Sequence, residues 1–182
     1  MSNQTDDELM LAIQKNNDLA YTELVSRHID KLYGYLLKLT SNTNDAEDLV
    51  QETFLRVWNK STTYKVGKVR FSTWLFRIAH NKFIDLYRKN KFQVEVYDEQ
   101  QLTRPMEDLR QQEEKAHALS MALGTLPENQ RVAVLLSHNQ GFTNPEIAIV
   151  LGSSLRAVES ILARARKTLR KLLTEESSDD AY

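Results

Sequence analysis

Apolar residues recur at the three- to four-residue spacing of an α-helix through most of this chain. The clearest case is the segment Leu24–Leu37, where Leu, Val and Ile return to one face over about four helical turns. Only five glycines and three prolines occur among 182 residues, so the turns that β architectures need are scarce. The pattern therefore predicts an all-α fold.

Local capping signals predict where the helices begin. The pairs Thr5–Glu8 and Thr143–Glu146 have the spacing of a capping box, in which each residue binds the other's backbone amide. Asn44, Ser72 and Ser154 precede apolar periodic segments and are predicted as further N-caps. Together these signals predict helices along both halves of the chain.

The predicted helices form two groups. Four helices within residues 1–91, with a loop at 61–70, are expected to enclose one small core. Residues 92–112 lack a helical period and contain a proline, which favours a flexible linker. A helix-turn-helix domain is predicted over 113–173, and a polar tail over 174–182. The expected architecture is two small helical domains on a linker.

The formal net charge of −1 conceals two basic blocks. Residues 60–91 carry nine Lys or Arg against one acid, and residues 152–173 carry six against one. The flanking segments 1–59 and 92–114 are both net acidic. Such blocks are typical of a surface that binds a polyanion. The alternative for either block alone is an ordinary solvated helix face.

The segment Thr143–Arg170 has the layout of a helix-turn-helix: a short helix, a turn containing glycine, and a longer helix rich in arginine. Residues at the start of such a second helix reach base edges, and later ones meet phosphate. A plain helical hairpin is the alternative. The candidate DNA contacts are Ser154, Arg156, Glu159, Ser160, Arg164 and Lys167.

Other function classes find little support. The chain has no cysteine, and its histidines lack the spacing of a metal site, so no metal or other cofactor is expected. We find no nucleophile–base pair or glycine-rich phosphate loop, so neither an enzyme nor a small-molecule substrate is expected. No apolar run approaches the ~20 residues that span a bilayer, and the polar start is unlike a secretory signal. A cytoplasmic protein without membrane insertion is expected.

Three stretches, in this order and spacing, resemble the small extracytoplasmic-function (ECF) sigma factors of the sigma-70 type. The first is similar to their second conserved region, the next to the promoter-melting helix of that region, and the last to their fourth region. The resemblance covers nearly the whole chain. The matching residues are 45–58; 71–81 with Asp85 and Arg88; and 126–131, 141–148, 157–160 and 163–166.

The resemblance implies a transcription initiation factor. It implies that one domain docks on a coiled coil of the β′ subunit of core RNA polymerase, and the other on a flap of the β subunit. It further implies promoter DNA as a partner, read at the minus-ten and minus-thirty-five elements. The usual regulator of such a protein is an anti-sigma factor.

An acidic stripe in the first matching stretch is the expected polymerase contact. Asp45, Asp48 and Glu52 fall at i, i+3 and i+7 on one helical face, beside Gln51 and Phe54. Acids with an aromatic anchor suit a basic partner helix. First-turn acids also stabilise a helix dipole, which accounts for Asp45 but not for Glu52. Phe54 is alternatively a core residue.

The resemblance assigns minus-ten recognition to the predicted fourth helix and the loop before it. Asn81 and the loop at 61–70 would form the pocket for a flipped base, since an amide can read a base edge. Tyr64 is suited to stack on a base, or else to close the core as a lid. The candidate minus-ten contacts are Tyr64, Lys65, Arg77, His80, Asn81 and Arg88.

Departures from the family pattern leave the minus-thirty-five sequence open. Many relatives carry a small residue or Thr where Arg156 stands, and a basic residue where Glu159 stands.

Two other functions compete: a sigma-like decoy that titrates an anti-sigma factor, and a plain helix-turn-helix repressor. A decoy has no need of Arg77 and Arg164, and a repressor has no need of the segment 45–58.

Overall fold

A computed structural model describes residues 4–93 and 121–179. All regular secondary structure within these two ranges is helical, which confirms the predicted all-α class. The first range contains α1 (Asp6–Ile13), α2 (Asp18–Thr40), α3 (Thr43–Asn59), a 3₁₀ turn (Ser61–Thr63) and α4 (Phe71–Gln93). The second contains helical residues at 121–124, α5 (Glu128–Val134), a π-helical segment (Leu135–Asn139), α6 (Asn144–Leu151) and α7 (Leu155–Asp179).

Two of the predicted N-caps of the first range are misplaced. Thr5 and Glu8 form the predicted capping box at the start of α1. At α3, however, Asn42 rather than Asn44 is the cap, and its side chain accepts from the Asp45 amide at 3.1 Å. α4 begins at Phe71, so the predicted cap at Ser72 is wrong. The Phe71 ring is buried, and this packing favours a helix that begins at Phe71. A local sequence pattern does not predict such packing.

The described residues divide into two compact units, one of residues 4–93 with 149–152 and the other of residues 121–148 with 153–179. The first is built on α1–α4: α2 packs against the other three helices, and α3 packs against α4. The aromatic rings of Tyr35 on α2 and Phe76 on α4 lie 5.1 Å apart and are both almost fully buried. Each buried large apolar side chain stabilises such a core by about 1.5–3 kcal/mol. The core therefore fixes the outer faces of α3 and α4.

The other unit holds most of the later helices, and within it α5 packs against α7. Ile147 of α6 and Val158 and Leu162 of α7 are almost fully buried. Gly152 takes a φ of 60° in the turn between these helices, a conformation that favours glycine. The Ser154 hydroxyl accepts from the Ala157 amide at 3.2 Å, so the predicted cap of α7 is confirmed. The segment is a helix-turn-helix.

The predicted first residues of the linker and of the tail both need correction. Phe92 and Gln93 still belong to α4, and α7 continues to Asp179 instead of ending at Leu173. Neither extension contains a glycine or proline that would stop a helix. The remainder of the predicted linker, residues 94–112, lies outside the described residues. No helix in the described part of the chain is long and apolar enough to cross a membrane.

Candidate functional site

The outer face of α3 carries the predicted acidic stripe. Asp48, Gln51 and Glu52 are exposed, and Asp45 at the start of the helix is half-buried. The Glu52 carboxylate accepts a hydrogen bond from the Lys82 ammonium of α4 at 2.7 Å. The side chain of Glu52 nonetheless keeps 57% of its surface exposed. The stripe is thus open to a partner, with one ion pair to the neighbouring helix.

Phe54 does not lie on this face. Its side chain is 5% exposed and belongs to the core, so its assignment as a surface anchor is wrong. Leu55, which is not among the predicted contacts, is 59% exposed and follows Asp48 by seven residues and Glu52 by three. That spacing places it on the acidic face, and the same helical period would have identified it. The apolar group beside the acids is therefore Leu55.

Tyr64 is also buried and cannot stack on a base. Its hydroxyl lies within hydrogen-bonding distance of the Asp7 carboxylate and, at 3.1 Å, of the Val69 carbonyl oxygen. Its ring packs against Phe71 and Trp74, with centroids 6.0 and 5.2 Å away. Burial and the Asp7 carboxylate raise the pKa of Tyr64. Its alternative interpretation, a lid on the core, is the one that the structure supports.

His80 is the third misassigned residue. It is 6% exposed, and burial lowers the pKa of its imidazole to about 4, so the ring is neutral near pH 7. It follows the core residue Phe76 by four positions and precedes Phe83 by three, the spacing of one helical face. A buried neutral ring on the core face of α4 makes no contact with DNA.

The exposed face of α4 retains the remaining minus-ten candidates. Arg77, Asn81 and Arg88 are all exposed at i, i+4 and i+11. Lys65 is exposed in the preceding loop, where the Lys68 amide donates to the Lys65 carbonyl at 3.2 Å and closes a turn. The face thus presents one amide and several positive charges, with the Asp85 carboxylate one turn after Asn81. The positive charges suit single-stranded DNA.

The predicted contact face of α7 is exposed as well. Arg156 lies in the first turn, Glu159 and Ser160 follow one turn later, and Arg164 and Lys167 continue along the helix. The Arg164 guanidinium donates back to the Ser160 carbonyl at 3.3 Å, which directs it along the helix. Ser154 is exposed too, but its hydroxyl already accepts the capping bond. Along this face, the uncharged Ser160 and the acidic Glu159 lie between Arg156 and the basic pair Arg164 and Lys167.

Comparison with known proteins matches both units. The sigma-70 region 2 family matches residues 24–93, and the sigma-70 region 4 family matches residues 116–169. The chain is 36% identical over 168 residues to the ECF RNA polymerase sigma factor SigE of Mycolicibacterium smegmatis, an alignment that covers 89% of this chain and 65% of SigE. The chain therefore spans just under two thirds of the length of SigE.

Two further matches extend over nearly the whole of each relative. The chain is 30% identical over 161 residues to the ECF RNA polymerase sigma factor SigM of Bacillus subtilis, covering 87% of this chain and 98% of SigM. Its fold is similar to that of the sigma factor RpoE from Bartonella quintana, solved in complex with the anti-sigma factor NepR. The TM-score is 0.72, with 28% identity over 85% of this chain and 96% of that chain.

Proposed function

Because the chain belongs to the ECF sigma factors of the sigma-70 family, it is a transcription initiation factor, and we propose how its exposed faces divide that function. The first unit binds core RNA polymerase and reads the minus-ten element, and the second reads the minus-thirty-five element. The observation that carries this division is the arrangement of the first unit. An acidic face on α3 and a basic face on α4 belong to two helices that pack directly against each other.

The acidic face of α3 is the proposed polymerase contact. Asp48, Gln51 and Glu52 supply charge and hydrogen bonds, and Leu55 supplies an apolar anchor in their midst. Acids around an apolar residue complement a helix that is basic at its rim and apolar at its centre. The family relationship supports a coiled coil of the β′ subunit as this partner. The family relationship also supports docking of the second unit on the β flap.

The basic face of α4 is the proposed minus-ten contact. Arg77 and Arg88 attract the DNA backbone, while the Asn81 amide is able to donate to and accept from one base edge. Extruding a base from the duplex costs a few kcal/mol, which pocket contacts offset. Lys65 adds positive charge from the loop. In this assignment Tyr64 and His80 have no direct role, since both are buried.

Regulation and location follow from the same assignment. RpoE of Bartonella quintana was solved with an anti-sigma factor, which supports an anti-sigma factor as the regulator of this chain also. The protein is proposed to act in the cytoplasm, where core polymerase and promoters are found. It works by binding and by stabilising melted DNA, so it is not proposed to be an enzyme.

The α7 face offers a prediction that separates phosphate contacts from base contacts. Arg164→Ala is expected to weaken binding to every promoter by a similar factor and to reduce the salt slope by about one unit, because one phosphate contact is lost. Glu159→Arg is expected to change the preferred base at one minus-thirty-five position, at about 1–3 kcal/mol per mismatch, because a carboxylate and a guanidinium read opposite groups. Selection from a randomised promoter library with each variant measures both effects.

Lys38→Ala is the control for this pair. It removes one positive charge from an exposed position on α2, outside the α7 face. Its consensus and salt slope are expected to stay close to those of the parent. An unchanged consensus with Glu159→Arg contradicts base reading by this face.

A further inference from the structure

We propose that α1 is a brace for the minus-ten loop, with Gln14 and Asp7 acting as positioning residues for promoter melting. This inference rests on the proposed function of α4 and of the loop at 61–70. α1 lies outside the stretch that matches the sigma-70 region 2 family, which begins at residue 24. The contacts of α1 nevertheless converge on that loop.

Gln14, at the C-terminal end of α1, holds the first half of the loop. Its side-chain amide nitrogen donates to the Ser61 carbonyl at 2.9 Å and to the Tyr64 carbonyl at 3.1 Å. A primary amide has two N–H groups, so one side chain satisfies both acceptors. These two bonds fix the beginning and the end of the turn that follows α3.

Asp7, near the start of α1, holds the same loop from a second point. Its carboxylate accepts a hydrogen bond from the Tyr64 hydroxyl, and the Tyr64 ring packs on Phe71 and Trp74 at the start of α4. Tyr64 thereby joins α1, the loop and the minus-ten helix in one buried contact. Both ends of α1 therefore contact Tyr64: Gln14 donates to its backbone carbonyl, and Asp7 accepts from its hydroxyl.

α1 is itself fixed to the first unit and can serve as a rigid support. Leu9, Met10 and Ile13 are buried, with at most 2% of their surface exposed. Asp6 accepts from the Arg27 guanidinium at 3.2 Å and lies 2.7 Å from the His28 ring nitrogen, both on α2. The brace is therefore anchored in the core as well as in two polar contacts.

The loop is held at its base and free at its tip. Lys65, Val66 and Lys68 are exposed, and Gly67 between them takes a φ of 78° in the closing turn. A loop that is already ordered loses less conformational freedom when it binds. Because the brace orders the base of the loop, its tip is presented to melted DNA in one geometry.

The test compares Gln14→Leu with the parent in full-length protein bound to core polymerase. Leu keeps the volume and removes both donors, so the two carbonyls lose their partner. We expect open complexes, followed by 2-aminopurine fluorescence in the minus-ten element, to form about tenfold more slowly. We also expect a relaxed minus-ten preference in library selection, with core polymerase affinity and minus-thirty-five preference unchanged. Lys15→Leu, an exposed neighbour, is the control and should match the parent.

Tyr64→Phe gives a second, milder readout because it removes the hydroxyl that contacts Asp7 and the Val69 carbonyl, and keeps the buried ring. It is expected to relax the minus-ten preference in the same direction, and it keeps the proposal testable if Gln14→Leu fails to fold. A parent-like opening rate and minus-ten preference in a folded variant overturns the brace. Failure of the parent protein itself to open promoters instead overturns the proposed function.

Discussion

A protein in which Asp48 and Glu52 are both replaced by lysine is expected to lose its binding to core RNA polymerase. Each substitution reverses a charge on the exposed face of α3, so attraction to a basic helix becomes repulsion on the face that also carries Leu55. We expect affinity to fall at least about 100-fold, a loss of roughly 3 kcal/mol. Biolayer interferometry with immobilised core polymerase measures the change.

Folding should be nearly unaffected by this double substitution. Both positions are exposed, and the ion pair between Glu52 and Lys82 at 2.7 Å is a surface pair of the kind that contributes about 0–1 kcal/mol. The matched control replaces Asp18 and Asp30 by lysine, two exposed acids on α2. Core binding at the parental level by the Asp48 and Glu52 variant, with retained helicity, would show that α3 is not the polymerase contact.

Phe76→Ala is expected to destabilise the first unit by about 3–5 kcal/mol and to leave the second unit intact. Phe76 is 2% exposed and packs on Tyr35, so truncation opens a cavity in the core of α1–α4. In differential scanning calorimetry, one unfolding transition should fall by roughly 15–30 °C while the other stays in place. We expect two transitions because the sequence predicts two helical domains joined by a flexible linker, each with its own core.

Leu162→Ala is the reciprocal substitution in the second unit. Leu162 is 1% exposed in α7, and its truncation should lower only the transition that Phe76→Ala leaves unchanged. The pair of variants thereby assigns each transition to one unit. A single transition that moves with both substitutions contradicts independent folding.

The helices were predictable from the sequence where their determinants are local. The capping box Thr5–Glu8 and the Ser154 cap depend on side chains three residues from the amides they bind, and both were correctly predicted. The start of α4 was not, because burial of Phe71 against residues from elsewhere in the chain decides it. Tertiary packing overrides a local cap signal of about 1 kcal/mol.

The candidate surfaces also divide into features that local sequence predicts and features that tertiary packing decides. Arg77, Asn81 and Arg164 are exposed as the helical period predicts. Tyr64 and His80 were misassigned because the family resemblance names positions without regard to which face of this helix or loop is buried. The role of α1 was missed altogether, since Gln14 meets carbonyls 47 and 50 residues further along the chain. A local sequence pattern cannot predict a contact between residues so far apart in the chain.

The most direct test of the central claim is transcription in vitro with purified core polymerase on a randomised promoter library. The full-length protein is expected to start transcription on a subset of sequences that share one minus-ten and one minus-thirty-five element at a fixed spacing. Core polymerase alone should not select that subset. Transcription indistinguishable from that of core polymerase alone, with a folded protein present in excess, would contradict the assignment of this chain as a working sigma factor.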